Sequence, residues 1–575
     1  MPPFTASSLR SRSLPLLTAS ALSLTLYTAH IHLRPVLSDD TLPDADAPPS
    51  SKLRSDLPAS LAPVSPYVPL GWGSNRYLTL FPDPSIAVVK RPTPLVHLGS
   101  TPYRDLAIAE KYGACVDANG DCWMWGAGYD PSGEIGQSLR NRVGRRGNQP
   151  GVKLRTLAPG PGKLFALSKD GRLYCVSAVK AFQDHRKDRS EQTWWSWLFS
   201  SDAGVDHVEL KPEGGFRRGE RWTGVSTGIH HLLAVTNKGR TFSLPLSPSG
   251  NSHRQLGTRQ DLAGASAPGA SEPVRADELP AEVDPRFAPA LHEIKSLSGI
   301  DIAQVAASDR TSFVRTPGGR VLGFGANESG QIGLGGSAAV EIVQTPVEVV
   351  LARNYPGGTM VKALDVIAGG STTMFVVERE SPGQQGKFVD LLACGNGMSG
   401  ALGNGLWSSA SSVPTRVKTV SGLQEFSEKA KAFLPLELYT VSVSPSPNAH
   451  IFAVLKTDRE ADAKGVKDGL YGKDVMVWGG NAEYQLGNGK RSSLATPQHL
   501  PRLIPREAET AVLAAAEAAI GSGTTSPMPH SRLQLHATKA DAYNPLGKLL
   551  KRGVKCEEAV VAGYNASVLY NKIVE

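Results

Sequence analysis

"FGANESGQIGLG" at residues 324–335, "CGNGMSGALGNG" at 394–405 and "WGGNAEYQLGNG" at 478–489 are three copies of one phrase. Each reads as the end of a strand running into a glycine-rich turn. Recurrence of this kind marks a repeat architecture, because one such unit cannot bury its apolar face without a neighbour. Function is therefore to be sought on the surface of a scaffold.

Working outward from the phrases, seven residues align in one column. Tyr112, Lys163, His231, Thr311, Thr373, His450 and Ala566 each follow by three places a residue that is small in nearly every copy: Ala109, Gly160, Gly228, Ser308, Gly370, Pro447 and Gly563. Small residues there suit a tight entry into an innermost strand. A short apolar run comes next, such as "LLAV" from Leu232 or "IFAVL" from Ile451, and reads as a buried strand. In the first four copies a glycine stands eight residues beyond the column, at Gly120, Gly171, Gly239 and Gly319, and marks a hairpin turn. A second strand then ends fourteen residues beyond the column, at Gly126, Ser177, Pro245 and Gly325. Copies five and six keep both strands but lengthen the loop between them. Outer segments rich in proline and valine, such as "TPVEVV" from Thr345 and "VPTRVKTV" from Val413, bring the unit to about four strands.

A unit with this register resembles that of the regulator of chromosome condensation family. The resemblance implies an all-β fold, a seven-bladed β-propeller over residues 66–575, although copies two and three lack the W-G and Q-L-G signatures. The two ends of that region complement each other. "LGWGSNRYLTL" at 70–80 is a phrase with no unit before it, and "VVAGYNASVLY" at 560–570 is a unit with no phrase after it. Joined, they close one blade from both chain termini, which removes exposed sheet edges.

The amino terminus has a different composition. Residues 1–38 hold no acidic side chain, while Arg10, Arg12 and Arg34 stand among Ser and Thr, as in a mitochondrial targeting segment. Inside it, residues 13–33 form an uncharged, largely apolar run long enough to span a bilayer. Asp39, Asp40, Asp44 and Asp46 then open a Pro/Ala/Ser-rich linker, 39–65. Three outcomes stay open, a cleaved targeting peptide, a retained inner-membrane anchor and a secretory signal, and the Arg/Ser-rich start favours the mitochondrion. With the span retained, arginines before it and aspartates after it direct the propeller to the intermembrane space.

Insertions are expected at about 178–221, 258–290 and 501–545. The first contains "TWWSWLF", whose Trp194, Trp195, Trp197, Leu198 and Phe199 are the candidate contact with a partner or a membrane. The competing reading is a loop folded back to cap the propeller. Residues 507–520, Ala-rich and bracketed by Pro505 and Gly521, read as a short inserted helix.

Catalytic patterns do not emerge. The formal charge of +8 comes from separated clusters, Arg217, Arg218 and Arg221 or Lys548, Lys551 and Lys555, in segments read as loops without stacking aromatics, so nucleic acid is not expected as a partner. Five cysteines lack metal or disulfide spacing; Cys115 and Cys122 flank one hairpin turn and read as half-buried thiols. Gly395, Gly397 and Gly400 match G-x-G-x-x-G but belong to the repeat turn. His231 and His450 occupy the column and read as hydrogen-bonded strand histidines. No catalytic residue, cofactor or metal is expected.

The nuclear member of the resembled family is an exchange factor for the GTPase Ran that docks on chromatin, through a wedge and a tail that do not map onto residues here. A targeting segment joined to a degenerate propeller is similar instead to the fungal mitochondrial branch, associated with assembly of respiratory complex III. The resemblance thus implies a non-enzymatic, monomeric scaffold at the inner membrane whose partner is a protein client, a complex III subunit or assembly factor. The alternatives are an exchange factor for a small GTPase or a chromatin-associated regulator, and, third, an enzyme with a site in the central channel.

Overall fold

The computed structural model describes residues 67–139, 153–183, 205–258, 279–336, 340–384, 386–427, 430–457, 472–501 and 532–574. Along them run strands β1 (Leu70–Ser74), β2 (Val88–Pro94), β3 (Asp105–Ile108), β4 (Gly113–Val116), β5 (Cys122–Trp125) and β6 (Gly136–Gln137). There follow β7 (Leu154–Pro159), β8 (Lys163–Ser168), β9 (Leu173–Ser177), β10 (His207–Pro212), β11 (Trp222–Thr227), β12 (His231–Thr236), β13 (Thr241–Pro245) and β14 (Ala290–Glu293). Next come β15 (Gln304–Ala307), β16 (Thr311–Arg315), β17 (Val321–Ala326), β18 (Ile342–Glu348), β19 (Met360–Gly369), β20 (Thr372–Glu380), β21 (Phe388–Gly395) and β22 (Ser411–Arg416). The last are β23 (Gln424–Ser427), β24 (Ala432–Pro435), β25 (Leu438–Val443), β26 (His450–Leu455), β27 (Lys473–Gly479), β28 (Leu494–His499), β29 (Gln534–Leu535), β30 (Ala537–Tyr543), β31 (Leu549–Ala562) and β32 (Ala566–Ile573).

The strands form an all-β propeller. Four-stranded antiparallel sheets are built from β3–β6, β15–β18 and β19–β22, and β25–β28 make another that also takes in β29. An eight-stranded sheet consists of two antiparallel runs, β7–β10 and β11–β14, joined by a parallel contact of two residue pairs, Lys211 with Ala290 and Pro212 with Leu291. The remaining large sheet has the order β2-β1-β32-β31-β30. Here the two ends of the fold meet: Leu70 to Gly73 pair antiparallel with Leu569 to Ala566. First strands neighbour one another in chain order, β3, β7, β11, β15, β19, β25 and β31, and β31 returns to β3.

Burial explains which strand is which. Every residue of β8, β12 and β26 is buried, because both faces of each sheet's middle are covered by neighbouring sheets. These strands follow the aligned column. They are second from the axis rather than innermost, which corrects the expectation from sequence. The innermost strand precedes the column and faces the axial opening, so β25 is half-exposed and β19 alternates. Apolar layers therefore lie between sheets. Trp72, Trp125, Phe452 and Val568 belong to one continuous apolar cluster that spans three sheets.

The repeated phrase has two physical meanings. Its first glycine is a bulge: Gly73, Gly126, Gly325, Gly395 and Gly479 have φ between +98° and +107°, and the register shifts beside four of them. Copies two and three carry Ser177 and Pro245 there, and the pairings of β9 and β13 with their outer neighbours run without a shift. The glycine after the leucine makes room for the next sheet's tryptophan. A Cβ on Gly487 would lie 2.8 Å from Trp72 Nε1, and one on Gly403 would lie 2.9 Å from Trp478 Nε1. Those indoles donate to the carbonyls of Gln485 and Ala401, each at 2.8 Å.

Several details depart from the sequence reading. Cys115 pairs with Trp123 and Val116 with Cys122, so the two thiols point to opposite faces of the sheet; both are free and fully buried. The expected insertions hold real strands, β10 within 178–221 and β29 and β30 within 501–545. Among the described residues no helix is long and apolar enough to cross a membrane. Residues 1–38 with the run 13–33, the linker 39–65 and the helix expected at 507–520 lie outside the described residues.

Candidate interaction surface

Antiparallel pairing sorts the loops onto two rims. First strands begin at one rim and end at the column, so the phrase turns crowd the opposite rim. The rim of strand starts carries the more elaborate structure. Between β22 and β25 the chain forms a separate hairpin, β23–β24, in which Phe426 faces Phe433 across the strands with ring centroids 5.3 Å apart. Both rings are exposed, Phe433 at 65%. Such a pair left in water is unusual, since large apolar side chains gain most from burial.

Nearby on the same rim a cleft of about 370 Å³ opens between three sheets, with Gln304, Arg315, Asp365 and Tyr439 in its wall. Arg315 Nε donates to Gln304 Oε1 at 2.8 Å, and the Gln304 amide donates to the Asp365 carboxylate and to the Val366 carbonyl. Gln304 thus ties two sheets together. Tyr439 donates to Glu557, which also receives Lys473 Nζ at 2.9 Å, and that ammonium lies 3.7 Å from the Tyr439 ring centroid. The cleft is walled by side chains that already satisfy one another.

The buried histidines are structural in their geometry. His231 Nε2 lies 2.7 Å from Ser312 Oγ, and that hydroxyl donates to the Gln255 carbonyl at 2.6 Å. His450 repeats the arrangement with Ser567 Oγ at 2.8 Å and the Gln485 carbonyl at 2.8 Å. Because each hydroxyl proton is committed to a carbonyl, the imidazole must donate from Nε2, and each clamp joins one sheet to the next. Burial lowers both histidines from an ordinary 6.5 to about 3, so they stay neutral and take up no second proton near neutral pH. Asp117 moves oppositely: burial raises it to about 6, while Trp123 Nε1 donates to its Oδ2 at 3.0 Å.

On the phrase rim, His253 Nε2 sits 3.2 Å from Glu328 Oε1, and His230 Nε2 sits 4.0 Å from Asp309 Oδ1. Among the described residues no group of three or more His, Cys, Asp or Glu is placed to hold a metal. The arrangement suits recognition by loops on a fixed frame.

The residues expected from sequence to make contact, Trp194, Trp195, Trp197, Leu198 and Phe199, lie outside the described residues. Sequence reading missed Phe426 and Phe433. Their signal was there: "EFSEKAKAFL" places two phenylalanines symmetrically about a charged turn. It also read the Lys548 to Lys555 stretch as a loop, whereas Lys551 and Lys555 stand in strand β31.

Residues 318–376 match the family model described as the Regulator of chromosome condensation (RCC1) repeat. Over 318 residues the chain is 23% identical to the ultraviolet-B receptor UVR8 of Arabidopsis thaliana, taking in 55% of this chain and 58% of the receptor. Over 291 residues it is 24% identical to the mitochondrial protein FMP25 of Saccharomyces cerevisiae, taking in 48% of this chain and 42% of that protein. The chain therefore spans only about half the length of these curated relatives. The crystal structure of Prp20p from Saccharomyces cerevisiae superposes with a TM-score of 0.51 at 15% identity, covering 89% of this chain and 93% of that one. In fold the protein is an RCC1-like β-propeller.

Proposed function

We propose that this protein is a non-enzymatic, seven-bladed propeller that works in the mitochondrion, at the inner membrane, as a protein-binding scaffold in assembly of respiratory complex III. Seven blades are counted by dividing the eight-stranded sheet at its short parallel contact, and the cyclic adjacency of first strands supports the count. One observation carries the scaffold reading. The two buried histidines are locked into sheet-to-sheet clamps, while two exposed phenylalanines face each other on a separate hairpin at one rim. Such a molecule presents surfaces and does no covalent chemistry.

The mitochondrial reading is supported by the acid-free, arginine-bearing residues 1–38 and by the likeness to a protein whose name marks it as mitochondrial. Complex III is the client implied by the family branch that this combination resembles. Fractionation with carbonate extraction, followed by quantitation of assembled complex III after deletion of the gene, tests both steps. The expected outcome is an inner-membrane protein whose loss depletes complex III; a nuclear location or unchanged complex III refutes it. A second reading, an exchange factor for a small GTPase, is favoured by the β23–β24 hairpin, which stands off the ring like a lever. Accelerated release of labelled GDP from mitochondrial GTPases, abolished by Phe433→Ser, would decide for it.

A further inference from the structure

The β30–β31 hairpin outgrows the sheet that bears it. Strand β31 pairs with β32 from Cys556 onward, whereas Leu549 to Val554 pair only with β30, so the distal hairpin extends beyond the rim of strand starts. Its outward side chains are mostly cationic, Asp541 being the one exposed carboxylate among them. Lys539, Lys548, Arg552 and Lys555 are exposed, and among the described residues none of the four is held in an ion pair. Lys539 stands directly opposite Lys555 across the strands. Like charges in that position destabilise a hairpin unless an anion covers them. At the tip Leu546 is 72% exposed, an apolar point set among the cations.

The hairpin is also braced. Tyr543 N donates to Thr101 Oγ1 at 2.8 Å and that hydroxyl donates back to the Tyr543 carbonyl at 3.0 Å, while Gly553 N donates to Asp541 Oδ1 at 2.9 Å. Binding through it demands little ordering, which favours affinity. The described chain begins at the same place: the Tyr67 hydroxyl donates to the Lys539 carbonyl at 3.2 Å. Exposed Phe433 leaves the ring from this rim as well.

We propose that the β30–β31 hairpin docks the propeller onto a bilayer surface rich in anionic phospholipid headgroups. The cations meet the headgroup charge and Leu546 enters the headgroup–acyl boundary, the pairing of basic and apolar groups that interfacial attachment uses. A nucleic acid or acidic peptide would match the cations but leave the leucine unrewarded. The docking adds a specified contact to the inner-membrane reading above, yet stands on the hairpin's own chemistry, so either survives failure of the other.

The test is cosedimentation of the full-length chain with vesicles of phosphatidylcholine alone and with vesicles containing 30% or so of cardiolipin. Anionic vesicles should bind at least about tenfold more strongly, with the preference falling as salt rises. Lys548→Glu combined with Arg552→Glu and Lys555→Glu should abolish the preference, and Leu546→Ser alone should weaken binding to anionic vesicles while leaving the far-ultraviolet spectrum unchanged. Equal binding to both vesicle types, or charge-reversed protein that binds like the parent, overturns the proposal. So does tighter binding to duplex DNA than to the anionic vesicles.

Discussion

At the scale of single residues, the phrase glycines and the clamp histidines define what the chain tolerates. Gly395 has φ of +104°, and a Cβ there would lie 2.1 Å from the Ser371 carbonyl oxygen. Gly395→Ala therefore meets both a left-handed backbone and a backbone collision, and should lower stability by more than ~1 kcal/mol, read as a shift in a urea melt. The histidines make a pH prediction whose sign follows from where the protons go. In the unfolded chain His231 and His450 protonate as pH falls through about 6.5; in the fold they resist until about 3. The unfolded state thus binds more protons between those limits, and stability falls on acidification, by ~2 kcal/mol per histidine at pH 5. Asp117, raised to about 6, pulls the other way as pH drops from 6 toward its unfolded value. His450→Gln isolates one contribution, since the amide keeps a donor for Ser567 but cannot titrate. The loss of stability between pH 7 and pH 5 should shrink by ~2 kcal/mol in that variant. An unchanged slope would contradict the role assigned to its burial.

At the scale of elements, a buried ion cluster fixes the β19–β22 sheet at its strand-start end. Asp390 is fully buried, with Arg379 Nε 2.8 Å from Oδ2, Tyr355 OH 3.0 Å from Oδ2 and Arg416 3.2 Å from Oδ1. Removing the carboxylate leaves Arg379 buried without its counter-charge, so Asp390→Ala should cost on the order of 3–5 kcal/mol in chemical denaturation. Elements also differed in how readable they were. Second strands announced themselves because both faces are apolar, as in "LLAV" and "IFAVL". First strands such as β25, "LYTVSV", have one face toward the axis and lack that signal. The β30–β31 hairpin reads from sequence as a charged loop because its exposed lysines mask the alternation in which Ala540 and Ala542 turn inward. The β23–β24 hairpin is faint for another reason: its aromatic residues stay exposed, so burial leaves no periodic pattern, and only the symmetric spacing of Phe426 and Phe433 marks it. The candidate cluster Trp194 to Phe199 stands out in the sequence by composition alone and lies outside the described residues.

At the scale of the molecule, the ring is held by contacts that pass from each sheet to the next, and one sheet is shared by both ends of the chain. Trp72 on β1 donates to Gln485, in the sheet before it, while Ser567 on β32 accepts from His450 in that same sheet. Both halves of the closing sheet therefore grip one neighbour. Opening that sheet should weaken the whole array and not merely fray its termini, because exposed edges and two apolar layers would be uncovered together. The register of closure was legible from two incomplete units, a phrase without a strand pair and a strand pair without a phrase. The length of β31 was not, since nothing in the repeat calls for its extension past β32. The most direct test is amide hydrogen exchange on the full chain and on Val568→Pro, which removes a donor from the middle of β32. Leu70–Ser74 and Ala566–Ile573 should be protected together in the parent and lose protection together in the variant. Rapid exchange of Leu70–Ser74 in the parent, or its indifference to the proline, would contradict a ring closed by the two ends of the chain.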